Sequence, residues 1–231
     1  MKFINPYLKF LLAILLFTGR SFGGELKEFS SAHWEKTSDE NGITTFQSEN
    51  SESQLFAFKV VGLIDAPVGK IANILIDSSF DKEWAPDLEE SRLIRQVSPT
   101  ERIEYWGVKT SALTKNRDFV IHESVELDQP NHRLIFRFRS VEDPLAPLTD
   151  KVRGTIRAGA YILIPKAGGK KTYVEYMVDL DPKGSIAKWI VNAVQKNFPR
   201  QAFEGLKRLA ARPTVRDFPK VNPELLKLLP H

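Results

Sequence analysis

The chain has 231 residues, 42% hydrophobic and 27% charged, a balance that excludes a disordered or fibrous protein and suits one large domain with a sizeable core. It contains no cysteine and four histidines, none in zinc-pair spacing, which excludes disulfides, a catalytic thiol and a thiolate site; no metal or cofactor is expected. The charge of +4 is uneven: Met1 to Gly23 holds Lys2, Lys9 and Arg20 and no acid, while the rest carries 30 basic against 29 acidic residues. So neutral a body has little electrostatic drive toward nucleic acid, and none is expected as a partner.

Residues 1–23 read as a secretory signal. Lys2 and Lys9 precede the unbroken apolar run Phe10 to Phe17, and Ser21-Phe22-Gly23 offers small residues for cleavage before Gly24. An uncleaved anchor is the alternative, but the run is short of the ~20 apolar residues a span needs. The expected location is therefore exported, in a bacterial periplasm or secreted. Residues 24–211 form the expected domain, and the proline-bearing stretch 212–231 an extended tail with the apolar run Leu225 to Leu229.

Glu25 to Lys36 suggests a short helix. Asn41-Gly42 is a hairpin signal before a strand at Ile43 to Ser48, and Leu55 to Leu63 is a second strand. Ala66-Pro67 opens a helix through Ile76, and Asp77 to Trp84 is a short helical or looped stretch ended by Pro86. Six strands follow, over roughly 91–97, 102–110, 117–127, 133–140, 153–165 and 172–181. Their short separators call for antiparallel pairing. Val141 to Lys151, with Pro144 and Pro147, reads as a rim loop. Ser185 then caps a helix whose stripe runs through Ile186, Trp189, Ile190, Ala193 and Val194, and continues at Phe198, Ala202, Phe203, Leu206 and Leu209. Pro199 predicts a kink or local break in it. One long sheet under one amphipathic helix is a two-layer α+β arrangement, and a curled sheet would enclose a cavity suited to ligands held by shape and burial.

Several blocks carry a resemblance. Trp34-Glu35-Lys36 with Gly42-Ile43, Trp84-Ala85-Pro86-Asp87, Asn116-Arg117-Asp118-Phe119-Val120, Gly154-Thr155-Ile156-Arg157-Ala158 and Asp181-Pro182-Lys183-Gly184-Ser185-Ile186 resemble, in order and spacing, the START lipid-transfer domains, from about Trp34 to about Leu209. The resemblance implies a helix-grip fold, a curved antiparallel sheet around a long C-terminal helix with an internal hydrophobic tunnel. It also implies non-covalent binding of a lipid or sterol-like molecule.

The resemblance further implies that a few buried charges meet the ligand, and Glu104 and Arg117 align with that role; a structural ion pair is the alternative. Alternation places Trp106 and Val108 with Glu104, and Phe119, Ile121 and Glu123 with Arg117. Tyr161, Tyr173 and Tyr176 bring hydroxyls on late strands. Tyr173 and Tyr176 face opposite ways, so at most one lines the cavity, and Tyr176 is grouped with Tyr161. Trp189, Ile190, Ala193, Val194 and Asn197 follow the helix stripe as core, roof or both. Arg133, Arg137 and Arg139 share a strand face, either solvated or touching anionic membrane lipid. An enzyme on a small apolar substrate and a ligand-sensing module are the alternatives. Against catalysis, no Gly-x-Ser-x-Gly elbow occurs, and neighbours His122 and Glu123 point to opposite faces. The protein is expected to be a non-enzymatic, monomeric lipid binder.

Overall fold

The computed structural model describes residues 26–49, 55–110, 114–185, 191 and 197–217. The chain divides into two compact units, Met1–Ser30 and Ser31–His231. In the first, Lys27–Phe29 is one three-ten turn.

In the second unit ten strands make one sheet. They are β1 (Glu35–Glu40), β2 (Ile43–Glu49), β3 (Phe56–Ile64), β4 (Leu88–Ser98), β5 (Glu101–Val108), β6 (Arg117–Asp128), β7 (Arg133–Ser140), β8 (Val152–Arg153), β9 (Thr155–Lys166) and β10 (Lys171–Asp181). Three helices are described, α1 (Val68–Ile76), α2 (Asp81–Trp84) and α3 (Phe198–Ala210). The strand order is β1-β2-β3-β10-β9-β7-β6-β5-β4, antiparallel throughout, with β8 alone running parallel beside β6. This is the two-layer α+β arrangement that the strand pattern and the C-terminal stripe predict, in the helix-grip form that the resemblance implies.

The helix expected over Glu25 to Lys36 is corrected: Glu35 and Lys36 already belong to β1. The Asn41-Gly42 turn, with φ of 56° and 73°, folds this strand onto β2 in the left-handed geometry that two-residue hairpins need. Four of its six residues are exposed, so no apolar alternation marked it.

Of the kink or local break expected at Pro199, the described residues fit the break: Asn197 is a turn residue and a helix begins afresh at Phe198. Pro199 lies in the first turn of α3, where a missing N–H leaves no ladder bond unmade. Val191 is helical and buried, while the expected positions 186–190 and 192–196 lie outside the described residues. The start of the tail is docked rather than extended. Asn73 donates to the Arg216 carbonyl at 3.2 Å and Val215 is buried, so residues 212–217 pack on α1; residues 218–231, with the run Leu225 to Leu229, lie outside the described residues.

The loop Val141 to Lys151 is not a rim. Ala146 and Val141 pack on Ile103, Tyr105 and Val120, which point away from α3, so the loop covers the outer face of β5 and β6. Asp118 anchors it there, accepting from Thr149 at 2.9 Å and from Arg153 at 2.9 and 3.1 Å.

The opposite face of the sheet meets the helices. Val60, Leu134, Leu163, Val174 and Val178 pack with Ala202, Phe203, Leu206 and Leu209 of α3, whose side chains are fully buried. Each large apolar side chain there contributes roughly 1.5–3 kcal/mol. Gly205 lets α3 cross α2 closely: a Cβ there would stand 2.4 Å from the Trp84 carbonyl oxygen.

Candidate functional site

Pairing register decides which inward side chains meet. Glu104 stands opposite Ile121, and Arg102 opposite Glu123. Alternation puts Arg102 and Glu104 on one face, so the guanidinium lies between two carboxylates. Its Nε is 3.2 Å from Glu104 Oε1, and an Arg102 nitrogen is 2.7 Å from Glu123 Oε2. It also donates to the last carbonyls of α1, to Leu75 at 3.0 Å and to Ile76. A third acid, Asp81 from α2, is buried beside them and accepts from Ser91 Oγ at 2.6 Å.

Three carboxylates therefore share one guanidinium. Burial, then repulsion from Glu123, pushes Glu104 up to about 8. Burial likewise raises Asp81 to about 7, against the Ser91 hydrogen bond that favours its charged form.

Aromatic rings wall the space next to this cluster. Trp106 Nε1 donates to Glu104 Oε2 at 3.2 Å, and its ring meets Trp84 edge-on at 5.7 Å. Trp84 meets Tyr161 at 6.0 Å and 89°, and Tyr161 stacks on Tyr176 at 4.3 Å with the planes 5° apart. Phe138 flanks both tyrosines at 5.9 and 6.2 Å. Gly159 makes room for that ring, since a Cβ would lie 2.0 Å from it. The polar atoms of this wall turn toward one another: Glu104 Oε1 lies 3.2 Å from Arg102 Nε, the Trp84 indole N–H faces Asp81, and the Tyr161 and Tyr176 hydroxyls face each other.

Arg117 and Glu104 do not meet. Arg117 pairs in register with Val108, four residues along β5 from Glu104. It is buried and donates to the carbonyls of Pro182 at 3.2 Å, of Lys183 at 3.1 Å and of Lys115. It thus ties the segment before β6 to the turn after β10 instead of facing a ligand; with no carboxylate beside it, burial lowers its pKa. Asn197 is corrected as well: it is exposed, and its backbone carbonyl accepts from Gln201 at the start of α3. Phe119, Ile121, Tyr161 and Tyr176 are buried in the core, with Trp106 and Val108 packed against it. Tyr173 points to the other face. Trp189, Ile190, Ala193 and Val194 lie outside the described residues.

Arg133 and Arg137 of the outer face are held by Asp128 at 2.7 Å and Glu126 at 2.8 Å, both on β6. Arg102, Asp81, Trp84 and Phe138 escaped the sequence reading as site residues. Alternation from Glu104 would have found Arg102, whereas nothing local marks Asp81. A small notch of about 40 Å³ opens beside the cluster, lined by Ile76, Thr100, Glu101, Arg102, Glu123 and Phe136 among others. It has room for a few waters.

Comparison with known proteins accords with this geometry. The family model of the START domain matches residues 26–214. Phosphatidylcholine transfer protein of Bos taurus is 28% identical over 174 residues, covering 73% of this chain and 79% of that protein. The crystal structure of a STAR-related lipid transfer protein from Xanthomonas axonopodis superposes with a TM-score of 0.69 at 25% identity, covering 78% of this chain and 99% of that one. An aromatase/cyclase from Streptomyces sp. R1128 shares the fold alone, at 12% identity and a TM-score of 0.51, over 68% of this chain and 93% of its own. The chain belongs to the START domain family.

Proposed function

We propose that this protein binds a lipid or similar apolar molecule between the sheet and α3 and carries it without chemistry, as a monomer. The observation that carries this reading is the wall of aromatic rings from Trp84, Trp106, Phe138, Tyr161 and Tyr176, on the sheet face that meets the helices, a surface suited to burying an apolar body. The lipid-transfer names of relatives in the same family support it. The cyclase of the same fold raises the enzymatic alternative, and the interior speaks against it: His122 turns to the outer face, where it pairs with Glu101 at 3.2 Å. Native mass spectrometry of the purified full chain tests the proposal. A lipid-sized adduct that dissociates intact is expected; no adduct, together with no uptake from labelled vesicles, overturns it.

A further inference from the structure

Among the described residues five large apolar side chains are exposed, and four of them fall in one region. Leu93 and Val97 are on β4, and Leu145 and Leu148 are on the loop tied to β4 by the Arg95–Asp143 pair at 2.8 Å. The two loop leucines stand furthest out, at 63% and 80% exposure. The backbone around them is fastened, so neither can fold back onto the sheet. Asp143 Oδ1 accepts from the Leu145 N–H at 3.0 Å, Ala146 is buried, and Arg153 donates to the Pro147 carbonyl at 3.1 Å. Thr149 then anchors on Asp118, and the rings of Pro144 and Pro147 restrict the backbone between these points. A loop so fastened that still holds two leucines in water marks a contact surface.

Shape and charge decide the occupant. Side chains that project this far suit a fluid surface that closes around them. A second copy of the chain could instead pair along β4, the last strand of the sheet, but the β4–β5 register shifts in three places. Such bulges bend an edge and blunt it against strand addition. The bordering charges cancel. Arg95 pairs with Asp143, Arg153 with Asp118 at 2.9 Å and Arg92 with Glu90 at 3.4 Å. Of the others, Glu142 and Asp150 are matched in number by Arg139 and Lys151. This surface neither attracts nor repels an anionic partner, and it suits the zwitterionic interface of a bilayer.

We propose that Leu145 and Leu148 seat the protein on a lipid bilayer, entering its interface from the outer side of β4 and β5. The contact goes beyond the lipid-binding reading, because it needs no ligand in the interior. Its position has a consequence for the molecule. Four residues past Leu148, Val152 donates to the Asn116 carbonyl at 2.9 Å, and a Cβ on Gly184 would stand 3.6 Å from the Val152 side chain. A bilayer held by the leucines therefore lies against the end of the sheet where Arg117 joins the segment before β6 to the turn after β10. Each leucine taken out of water raises affinity roughly tenfold to a hundredfold.

The chain has no cysteine, so a single engineered one carries a dye at a known place. An environment-sensitive dye on Leu145→Cys in the full chain shifts to the blue when phosphatidylcholine vesicles are added. The same dye on Lys170→Cys, in the exposed turn after β9, does not shift. Adding Leu148→Ser to the Leu145→Cys protein raises the vesicle concentration for half-maximal shift at least tenfold. The urea midpoint stays unchanged, because the Leu148 side chain is already in water. No shift of the Leu145 dye overturns the inference, whether or not the protein binds vesicles through Phe10 to Phe17. So does an unchanged response in Leu148→Ser, or a shift seen only with anionic vesicles. A shift that grows with protein concentration in the absence of vesicles also overturns it and points to a second copy. The lipid adduct read by native mass spectrometry is independent of all these outcomes: its absence removes the lipid-binding reading and leaves the bilayer contact standing.

Discussion

Arg102 joins three parts of the interior in one contact: it lies against Glu104, pairs with Glu123 and closes the C-terminal carbonyls of α1. The residual imbalance has a thermodynamic consequence. Asp81 and Glu104 titrate at about 7 and about 8 in the folded protein, whereas both groups titrate near 4 in an unfolded chain. Between those limits the folded state holds more protons than the unfolded one. The stability from these two groups is therefore complete below about pH 4 and is lost as pH rises through about 8. Asp118 and Asp181 act oppositely. Burial alone would raise them, but hydrogen bonds from Arg153 and Thr149, and from Lys183, hold them low. Their contribution is present above about pH 4 and lost on acidification. Urea denaturation is expected to give its highest midpoint near pH 5 and a decline toward pH 8, which Glu104→Gln flattens. A midpoint that rises steadily from pH 5 to pH 8 would contradict the cluster's assignment.

At the scale of elements, the position of α3 is set by one close crossing. Phe203, Leu206 and Leu209 face the sheet, and Gly205 turns toward the backbone of α2 at Trp84. That contact brings the Trp84 ring and Asp81, one turn apart on α2, up to the inner ends of β4 and β5. Alanine is the better helix former by roughly 0.5–1 kcal/mol, so a helix limited by propensity would gain from Gly205→Ala. Here the added methyl meets backbone that cannot rotate away. Gly205→Ala is expected to destabilise by about 1–3 kcal/mol in urea titration. The exposed Gln201→Ala on the same helix stays within about 0.5 kcal/mol. Equal behaviour of the two variants would mean that the crossing is loose. The loop from Val141 to Lys151 belongs to this scale too: pinned by Asp118 to the outer face, it does not sit over the lipid-facing interior, so it is removed from the elements that could admit a ligand.

For the molecule as a whole, the proposed role requires a ligand to pass between water or membrane and an interior packed around α3. Arg117 links two candidate edges of that passage, the segment before β6 and the turn of Pro182 and Lys183. Lys183 and Gly184 hold left-handed backbone there, with φ of 54° and 81°. Export is the companion proposal. Phe10 to Phe17 and Ser21 to Gly23 carry the features of a cleaved leader, and the near-neutral remainder has no charge of its own to direct it to a polyanion. N-terminal sequencing of protein recovered from the exported fraction is expected to start near Gly24. Intact Met1 on membrane-embedded protein would refute the leader.

Local pattern in the sequence was enough for most of the architecture. Period-two alternation along 117–127 and 172–181, the Asn41-Gly42 turn and the stripe Ala202, Phe203, Leu206, Leu209 each express a backbone preference that neighbours a few residues apart decide. The ordered blocks from Trp34 to Ile186 likewise named the family that the domain match bears out. The resemblance also marked Glu104 and Arg117 as buried charges, and both are buried. It could not say that they are apart, because contact across a sheet depends on register: Val108 opposes Arg117, Ile121 opposes Glu104, and the cation that reaches Glu104 is Arg102. Asp81 and Trp84 join the site from a four-residue helix that comes more than twenty residues before Trp106 in the chain, held there by Gly205 of α3 from far downstream. Such contacts are settled by strand pairing and helix crossing over long sequence separations, and only the tertiary structure carries that information.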